Sequence, residues 1–572
     1  MTKCIIQRRR SSTGQFPADL HPVLRRVYAA RAVETADDLD TSLNKLIAPA
    51  ELAGLPAAVD LLQHAVVNRQ RIVVVGDFDA DGATSCALCL RALRAMGAAE
   101  VHYLVPNRFE YGYGLTPEIV GVAAQLQPDL LVTVDNGISS IDGVAAAKQR
   151  GIKVLITDHH LPGKQLPAAD AIVNPNNVGD SFPSKSLAGV GVAFYVMLAL
   201  RARLREQGWF AKQAIAEPKL AQYLDLVALG TVADVVPLDR NNRILVQQGV
   251  QRMRAGHCVP GIRALFEVGG RSLSRMVATD LGFTVGPRLN AAGRLDDMSL
   301  GIECLLTDDA AAATRMAARL DELNRERKVI ETDMQTRALE AIEALDLRDD
   351  RLPVGLCLFD PGWHQGVIGI LAARIKERFH RPVIAFARSG EGEIKGSARS
   401  VAGLHIRDAL DAVATRHPDL IEKFGGHAMA AGLSLPEDHY PAFAAAFDKE
   451  VSRHLSREDL NGVIYSDGEL SDQELSLDTA QLLRDASPWG QGFPAPVFEG
   501  DFTVVSHRVV GQRHLKMTLS PAKGNCQIDA IAFNTEVLPR GSQRVHMAYR
   551  LDVNEYRGNV SPQLIVEHME AR

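Results

Sequence analysis

From residue 71 onward, short, mostly apolar runs alternate with longer stretches of helical spacing. RIVVV (71–75) is β-branched for most of its length and is closed by Gly76. The segment TSCALCLRALRAMG that follows repeats its apolar residues at helical intervals. VHYLV (101–105), LLVTV (130–134) and KVLIT (153–157) have the character of the first run, with helices expected near Pro117 to Gln127 and near Ser139 to Gln149. A run without polar alternation is a strand covered on both faces. Strands of this kind joined by helices predict a parallel sheet with right-handed crossovers. In such a sheet, ligand chemistry belongs at the carboxyl ends of the strands.

The rest of the chain changes pattern three times. Residues 187–300 read as helices with short loops. Residues 309–345 form one uninterrupted helical pattern without Pro or Gly, beginning after Thr307, Asp308 and Asp309. At about 37 residues it would span about 55 Å, which predicts a strut between two lobes. A second α/β unit follows, with strands at VGLCLF (354–359), PVIAFA (382–387) and the AMAAGLSL region, and helices near 367–379 and 438–454. From residue 461 short β runs (FTVVS, LKMTLS, QIDAIAF, VHMAYRLDV, QLIVEHM) are separated by Gly, Asn and Pro turns, the signature of a small antiparallel barrel. The predicted fold class is α/β: a parallel-sheet domain (51–300), a long connecting helix (301–347), a smaller second α/β domain (348–458) and a C-terminal OB-like β-barrel (459–572). Residues 1–50, with Arg8, Arg9 and Arg10 near their start, read as a tail or a cover.

Composition narrows the function classes. The 572 residues are 46% hydrophobic and 23% charged, ordinary values for folded domains. A net charge of −6 argues against a surface coated in positive charge, though not against a local basic groove. The longest apolar run, Leu187 to Leu200, is shorter than a bilayer span requires. MTKCIIQRRR is not followed by an apolar leader core, so a cytoplasmic protein is expected. Seven dispersed cysteines do not make a disulfide framework. The single CxxC, Cys86 to Cys89, falls inside a predicted helix and is expected to be core packing.

Four loops concentrate chemistry. GDFDADG places Asp77, Asp79 and Asp81 at alternate positions after the first strand. If that stretch is extended, the three carboxylates point to one side and repel one another unless cations neutralise them. Asp135 (TVDNG) follows LLVTV, and Asp158, His159 and His160 (TDHH) follow KVLIT; Asp234 (TVADVVPL) follows an apolar helical run. Taken singly, each has a plain explanation: a helix cap, a turn, a loop histidine. Three successive strand ends delivering carboxylate or imidazole point instead to one metal site. This donor mixture suits Mn²⁺ or Mg²⁺, and its size suits two ions that activate water and offset charge on a phosphoryl group.

Other segments are suited to gripping phosphate. GPRLNAAGR offers Arg288, Asn290 and Arg294 in a glycine-bounded loop. GWHQGVIGI offers His364, KGSARS offers Ser397, Arg399 and Ser400, and FGGHAMAAG offers Gly425, Gly426 and His427. Glycine lets backbone N–H groups approach an anion, and Arg forks onto phosphate oxygens. In NRFEYGYG, Arg108 can meet phosphate and Tyr111 or Tyr113 can stack on a base.

DADG, VDNG, TDHH and ADVVPL, in this order, resemble the DHH phosphoesterase superfamily, and GGHxxAAG resembles the second domain that accompanies it. With the C-terminal β unit added, the order of motifs from GDFDADG to QLIVEH resembles the RecJ family of bacterial single-strand-specific 5′→3′ exonucleases over nearly the whole chain after about residue 40. That resemblance implies two ions. Asp79 and Asp135 would serve one; Asp81, Asp135, His159 and Asp234 the other, with Asp135 as the bridge. Asp77 and His160 would be ligands or would hold them. It further implies a cleft between lobes, with the first supplying metal and the second gripping a single strand guided by the barrel. Arg108, Ser397, Arg399 and the GGH loop would bind the 5′ end, and 5′-mononucleotides would leave during recombination and repair. A single-strand-binding protein and a RecQ-type helicase are the implied partners. The alternatives are a phosphodiesterase for short oligonucleotides or cyclic dinucleotides, which needs neither barrel nor strut, and a non-enzymatic scaffold, which would be expected to have lost ligands.

Overall fold

The computed structural model describes residues 4–106, 114–344, 352–390, 392–456, 458–511, 513–524, 526–535, 537–538, 543–556 and 558–572. Two compact units divide these: Arg9–Asn324 with Asp467–Arg572, and Met1–Arg8 with Arg325–Ser466.

In the larger unit the apolar runs form the expected parallel strands: β1 (Arg71–Gly76), β2 (Glu100–Leu104), β3 (Leu130–Val134) and β4 (Lys153–Thr157), with α1 (Ala80–Ala95) after β1. A three-residue strand, β5 (Ala171–Val173), adds an edge that no apolar run announces. All neighbours pair in parallel, in the order β2-β1-β3-β4-β5. The chain therefore goes one way from β1 to β2 and the other way to β3. The carboxyl ends of β1 and β3 flank the topological switch point, where doubly wound sheets bind ligands.

Behind the sheet, α2 (Gly189–Glu206) and α3 (Leu224–Ala233) pack on α1. Cys86 and Cys89 are buried on α1 among this apolar packing, as free thiols. GPRLNAAGR is not a loop; it lies within α4 (Gly286–Leu295), preceded by a π-helical turn at Leu281–Val285. Its two glycines lie on a packed helical face, because α4 must approach its neighbours closely: a Cβ on Gly293 would fall 1.8 Å from the Phe78 carbonyl oxygen. Residues 9–50 are built into the unit. The helix Pro22–Ala29 buries Val23, Leu24, Val27 and Tyr28, and the Tyr28 ring stacks near Trp489 and Phe493 at 6.1 and 6.4 Å. Arg31 donates twice to the buried Asp467 carboxylate, each bond 2.9 Å long.

The long helical pattern is α5 (Ala310–Ala344), 35 residues, begun by an Asp309 carboxylate that accepts from the Ala311 N–H at 2.9 Å. The smaller unit is built on a mixed sheet. Its strands are β6 (Leu356–Phe359), β7 (Val383–Gly390), β8 (Glu393–Arg399), β9 (Lys423–Gly426) and β10 (Ala430–Pro436), with α6 (Ile368–Phe379) after β6. The order is β9-β10-β8-β7-β6, and only β6 and β7 run parallel. KGSARS lies mostly in β8, and the first two residues of GGH end β9. In this unit Cys4–Arg8 pairs in parallel with Gly462–Ser466.

The last five strands, β11 (Phe498–Val510), β12 (His514–Pro521), β13 (Ile528–Ala532), β14 (Arg544–Tyr556) and β15 (Asn559–Ala571), close into a barrel in the order β11-β12-β13-β15-β14. It is not wholly antiparallel, since β13 and β15 run parallel. A closed ring with an odd number of strands cannot alternate direction all the way round, so one parallel pair is required. Among the described residues no single helix is long and apolar enough to cross a membrane.

Candidate metal centre

The acidic motifs meet at the switch point, but not by the extended geometry expected for DFDAD. β1 ends at Gly76 and the chain turns at once into α1. Asp77 lies in the turn, Asp79 is the N-cap and Asp81 is in the first helical turn. The cause is local. The Asp79 carboxylate accepts from the Asp81 and Gly82 N–H groups at 2.9 and 3.0 Å, which satisfies helix donors that have no partner of their own. Gly82 permits the tightness of the corner, because a Cβ there would lie 2.4 Å from the Asp77 carbonyl oxygen. Asp79 thus fulfils both the capping reading and the cluster reading.

Asp81 points at the start of α2. Its carboxylate accepts from the Gly189 N–H at 2.6 Å and the Val190 N–H at 3.0 Å, where a helix N-terminus favours negative charge. Gly189 also faces Asp135, and a Cβ would fall 2.6 Å from the Asp135 Cβ. Asp135 sits past β3 in a left-handed conformation, φ 63°. The neighbouring Asn136 side chain, fully buried, donates to the Val75 and Val134 carbonyls at 3.0 and 2.9 Å and ties the ends of β1 and β3 together. His159 Nε2 lies 3.1 Å from Asp135 Oδ1 and 3.5 Å from Asp234 Oδ2. Asp234 arrives as the C-cap of α3.

Side chains hold the two histidines from several directions. Asp158 Oδ1 accepts from the His159 N–H (2.7 Å) and the His160 N–H (3.1 Å) and lies 2.7 Å from His160 Nδ1, while Oδ2 accepts from the Ile138 N–H at 2.9 Å. Asn176 donates to the His159 carbonyl at 2.6 Å and Asn174 to the His160 carbonyl at 2.9 Å. The sequence offers Asn136 only as a turn residue after Asp135 and gives no signal for the roles of Asn174, Asn176 and Gly189. The VNPNN run after β5 carries them in part, but nothing in its composition shows that its amides reach back to β4.

The electrostatics follow from this crowding. Burial, then the charges of Asp81, Asp79, Asp234 and Asp77, push the Asp135 carboxyl well above its ordinary range. Asp234 is raised by burial and then by Asp81 and Asp79, and Asp81 is raised to about 7 by burial and Asp79. Burial works against protonated His160, but Asp158, with Asp234 and Asp77 behind it, raises His160 to about 9. Burial likewise opposes a charged Asp158, yet the hydrogen bond and charge of His160 hold it below the usual carboxylate range. Donor atoms of Asp77, Asp79 and Asp135 lie within 4.8 Å of one another; so do those of Asp81, His159 and Asp234, and those of Asp135, His159 and His160. Overlapping sets of oxygen and nitrogen donors, in which carboxylates repel, are what divalent Mg²⁺ or Mn²⁺ relieves. The residues fit the group.

The remaining predicted site residues divide. The Asn290 amide oxygen accepts from the Ala80 N–H at 2.7 Å, which steadies the start of α1. Arg288 pairs with Asp321 at 2.8 Å and donates to the Thr284 carbonyl. Arg294 lies near the end of α4. In the smaller unit, register brings Gly425, Gly432 and Ser397 into one row across three strands, and Arg399 lies opposite Ala430. The His427 N–H donates to the Ala430 carbonyl at 2.8 Å, in the same row as Arg399. Arg399 donates to Ser397 Oγ at 3.1 Å, and burial lowers its guanidinium pKa. A Cβ on Gly369, in the first turn of α6, would lie 2.9 Å from Arg399 Nη2 and 3.0 Å from Ser397 Oγ. A guanidinium and a hydroxyl beside a helix N-terminus form an anion-binding arrangement. His364, just before α6, accepts from the Gly366 N–H at 3.1 Å. Ser400 is buried and donates to the Leu404 carbonyl at 2.8 Å. Arg108, Tyr111 and Tyr113 fall outside the described residues.

Three family models match the chain in succession: the DHH family, N-terminal domain, at residues 71–231, the DHHA1 domain at 353–453 and the RecJ OB domain at 466–568. A single-stranded-DNA-specific exonuclease RecJ of Dickeya dadantii is 58% identical over 99% of this chain and 98% of its own length. The chain belongs to the RecJ family. The Escherichia coli RecJ is 55% identical over 97% of both chains. The crystal structure of Thermus thermophilus RecJ in complex with Mn²⁺ superposes with a TM-score of 0.81 at 31% identity, covering 100% of this chain and 80% of that one. The RecJ likeness therefore takes in both α/β sheets and the barrel, as well as the acidic corner.

Proposed function

We propose that this chain is a metal-dependent exonuclease specific for single-stranded DNA, which removes 5′-mononucleotides in the 5′→3′ direction and acts in recombination and repair. The observation that carries the reading is the convergence of Asp77, Asp79, Asp81, Asp135, His159, His160 and Asp234 at one sheet switch point, in a chain of the RecJ family.

Asp79 and Asp135 would hold one Mn²⁺ or Mg²⁺, and Asp81, Asp135, His159 and Asp234 would hold the other, with Asp77 and His160 supporting them. When bound, such a pair supplies Lewis acidity, activating water and offsetting charge on the scissile phosphate. Asp158, Asn174 and Asn176 fix the histidine pair, so that little reorganisation is needed when substrate enters. Asp81, anchored by α2, and Asp135, held by its left-handed turn, keep the carboxylates on one side of the strand ends. In the DHHA1 part, Ser397, Arg399 and the α6 N-terminus bind the 5′ phosphate, and Arg108 of the DHH part contacts the strand by itself. His427 donates to a phosphoryl oxygen beside Gly425 and Gly426, His364 and Arg294 contact the backbone, and Tyr113 stacks on a base. Arg288 and Asn290 serve the strand indirectly, by fixing α4 and the start of α1.

The barrel guides the strand across its outer face. Arg508 and Lys516 are cross-strand neighbours there, and His514 meets Phe533 edge-on at 5.2 Å; such mixtures of cation and ring suit an unpaired strand. A single-strand-binding protein and a RecQ-type helicase that exposes the strand are the proposed partners.

The test uses 5′- and 3′-labelled single strands and a blunt duplex, with Mn²⁺ or Mg²⁺. The 5′ label is expected to leave first as a mononucleotide, the 3′ label to persist on shortening strands, and the duplex to survive. Faster turnover of a dinucleotide than of a long 5′-phosphorylated strand would overturn the reading in favour of a small-substrate phosphodiesterase.

A further inference from the structure

The π-helical turn Leu281–Val285 ahead of α4 buries Leu281, Thr284 and Val285, yet its central residue, Phe283, is 84% exposed. The turn is pinned from both sides. Gly282 and Gly286 press on the last turn of α3, where added Cβ atoms would lie 3.3 Å from Val232 Cγ1 and 3.1 Å from Ala233 Cβ. Arg288, itself paired with Asp321, donates to the Thr284 carbonyl. π-turns are rare and concentrate at functional sites; this one leaves only its phenyl ring outside.

The turn packs on the end of α3 that carries a residue of the metal centre. Ala233 is followed by Asp234. On the other side of that carboxylate, Val235 is 63% exposed in a left-handed conformation, φ 62°, which β-branched residues rarely adopt. Leu161, next to His160, is 51% exposed. Three separate segments that carry or brace the cluster thus each show an apolar side chain to solvent. Cations and phosphate oxygens give no reason for such a rim. A nucleobase does, because its face stacks on an aromatic ring whatever its identity.

Resting on the nuclease reading above, we propose that Phe283 is the platform on which a base of the bound single strand stacks, with Val235 and Leu161 completing an apolar rim beside the metal centre. Phe283 positions the strand and takes no part in proton transfer or metal binding.

The test is a cycle between protein and substrate. 5′-Phosphorylated oligo(dT) is compared with the same strand carrying three abasic nucleotides at its 5′ end, for the parent chain, Phe283→Ala, Phe283→Leu and Phe283→Trp. In the parent, abasic residues should raise KM about tenfold with little change in kcat. Phe283→Ala should show a large part of that rise already on oligo(dT) and a markedly smaller further rise on the abasic strand than the parent does, Phe283→Trp should restore the difference, and Phe283→Leu should not. Equal sensitivity to abasic residues in the parent and Phe283→Ala, or full function of Phe283→Leu, overturns the proposal. Affinity for both strands is read in parallel by fluorescence anisotropy in chelator. If the parent hydrolyses neither strand, the nuclease reading fails, while the affinities still decide whether Phe283 stacks on a base.

Discussion

Asp135 is the residue on which most of the centre's charge converges. It lies between two donor sets, with His159 Nε2 at 3.1 Å. Asp135→Asn keeps the side chain's size and removes its charge. Mn²⁺ affinity, read by calorimetry, should fall at least tenfold and strand degradation should be abolished, with the circular-dichroism spectrum unchanged. Asn176 tests the scaffold rather than the ligands. Asn176→Ala deletes the bond to the His159 carbonyl and a second to the Lys185 carbonyl. A ten- to hundredfold loss in metal affinity, roughly what supporting groups contribute, is expected from the same titration. These two residues also show what a sequence can reveal. Asp135 stands in VDNG directly after a continuous apolar run, so its place at a strand end could be read. Asn176 acts across the gap from β5 to β4, and no spacing rule connects it to His159.

At the level of elements, legibility followed length and periodicity. LLVTV and KVLIT are strands at the residues expected, whereas β5, with three residues and no apolar run, was invisible. GPRLNAAGR was misread because its glycines and proline look like loop punctuation; Pro287 is tolerated in the first turn of α4. Two ion clusters fix elements and can be tested. Asp467 is buried and bonded to Arg31. Asp467→Ala, which leaves that guanidinium buried without its carboxylate, should lower stability by about 3–5 kcal/mol in denaturant titrations. In the smaller unit Glu450, on the helix Tyr440–His454, binds Arg416, Arg453 and His454, the last two at 2.7 and 2.9 Å. Burial would raise its carboxyl, but these three partners hold it below the ordinary 4.5. A carboxyl lowered in the folded state contributes stability in full above 4.5, and loses it as pH falls through the folded value. Thermal unfolding should therefore show a loss of stability on acidification below about 4.5 that Glu450→Gln diminishes.

For the whole molecule, the centre joins stability to cation binding. Crowded carboxylates oppose folding until a divalent ion neutralises them. Mn²⁺ at a hundredfold excess over its Kd should stabilise the chain by about 2.7 kcal/mol, seen as a higher Tm in calorimetry. The gain should fall to about 1.4 kcal/mol or less in Asp135→Asn and vanish in chelator. The three-part order of two α/β sheets and a barrel was readable because each part has its own period. Closure of the barrel through a parallel pair was not, since strand direction leaves no mark on an apolar run.

The pairing of Cys4–Arg8 with Gly462–Ser466 has a bearing on synthesis. The strand Cys4–Arg8 leaves the ribosome long before Gly462–Ser466, its partner, is made. At roughly 5–20 residues per second, Ile5 and Ile6 wait tens of seconds as an unmatched β edge in a crowded polysome. Arg8, Arg9 and Arg10 follow directly, and a cationic flank of this kind discourages neighbouring nascent chains from zipping onto such an edge.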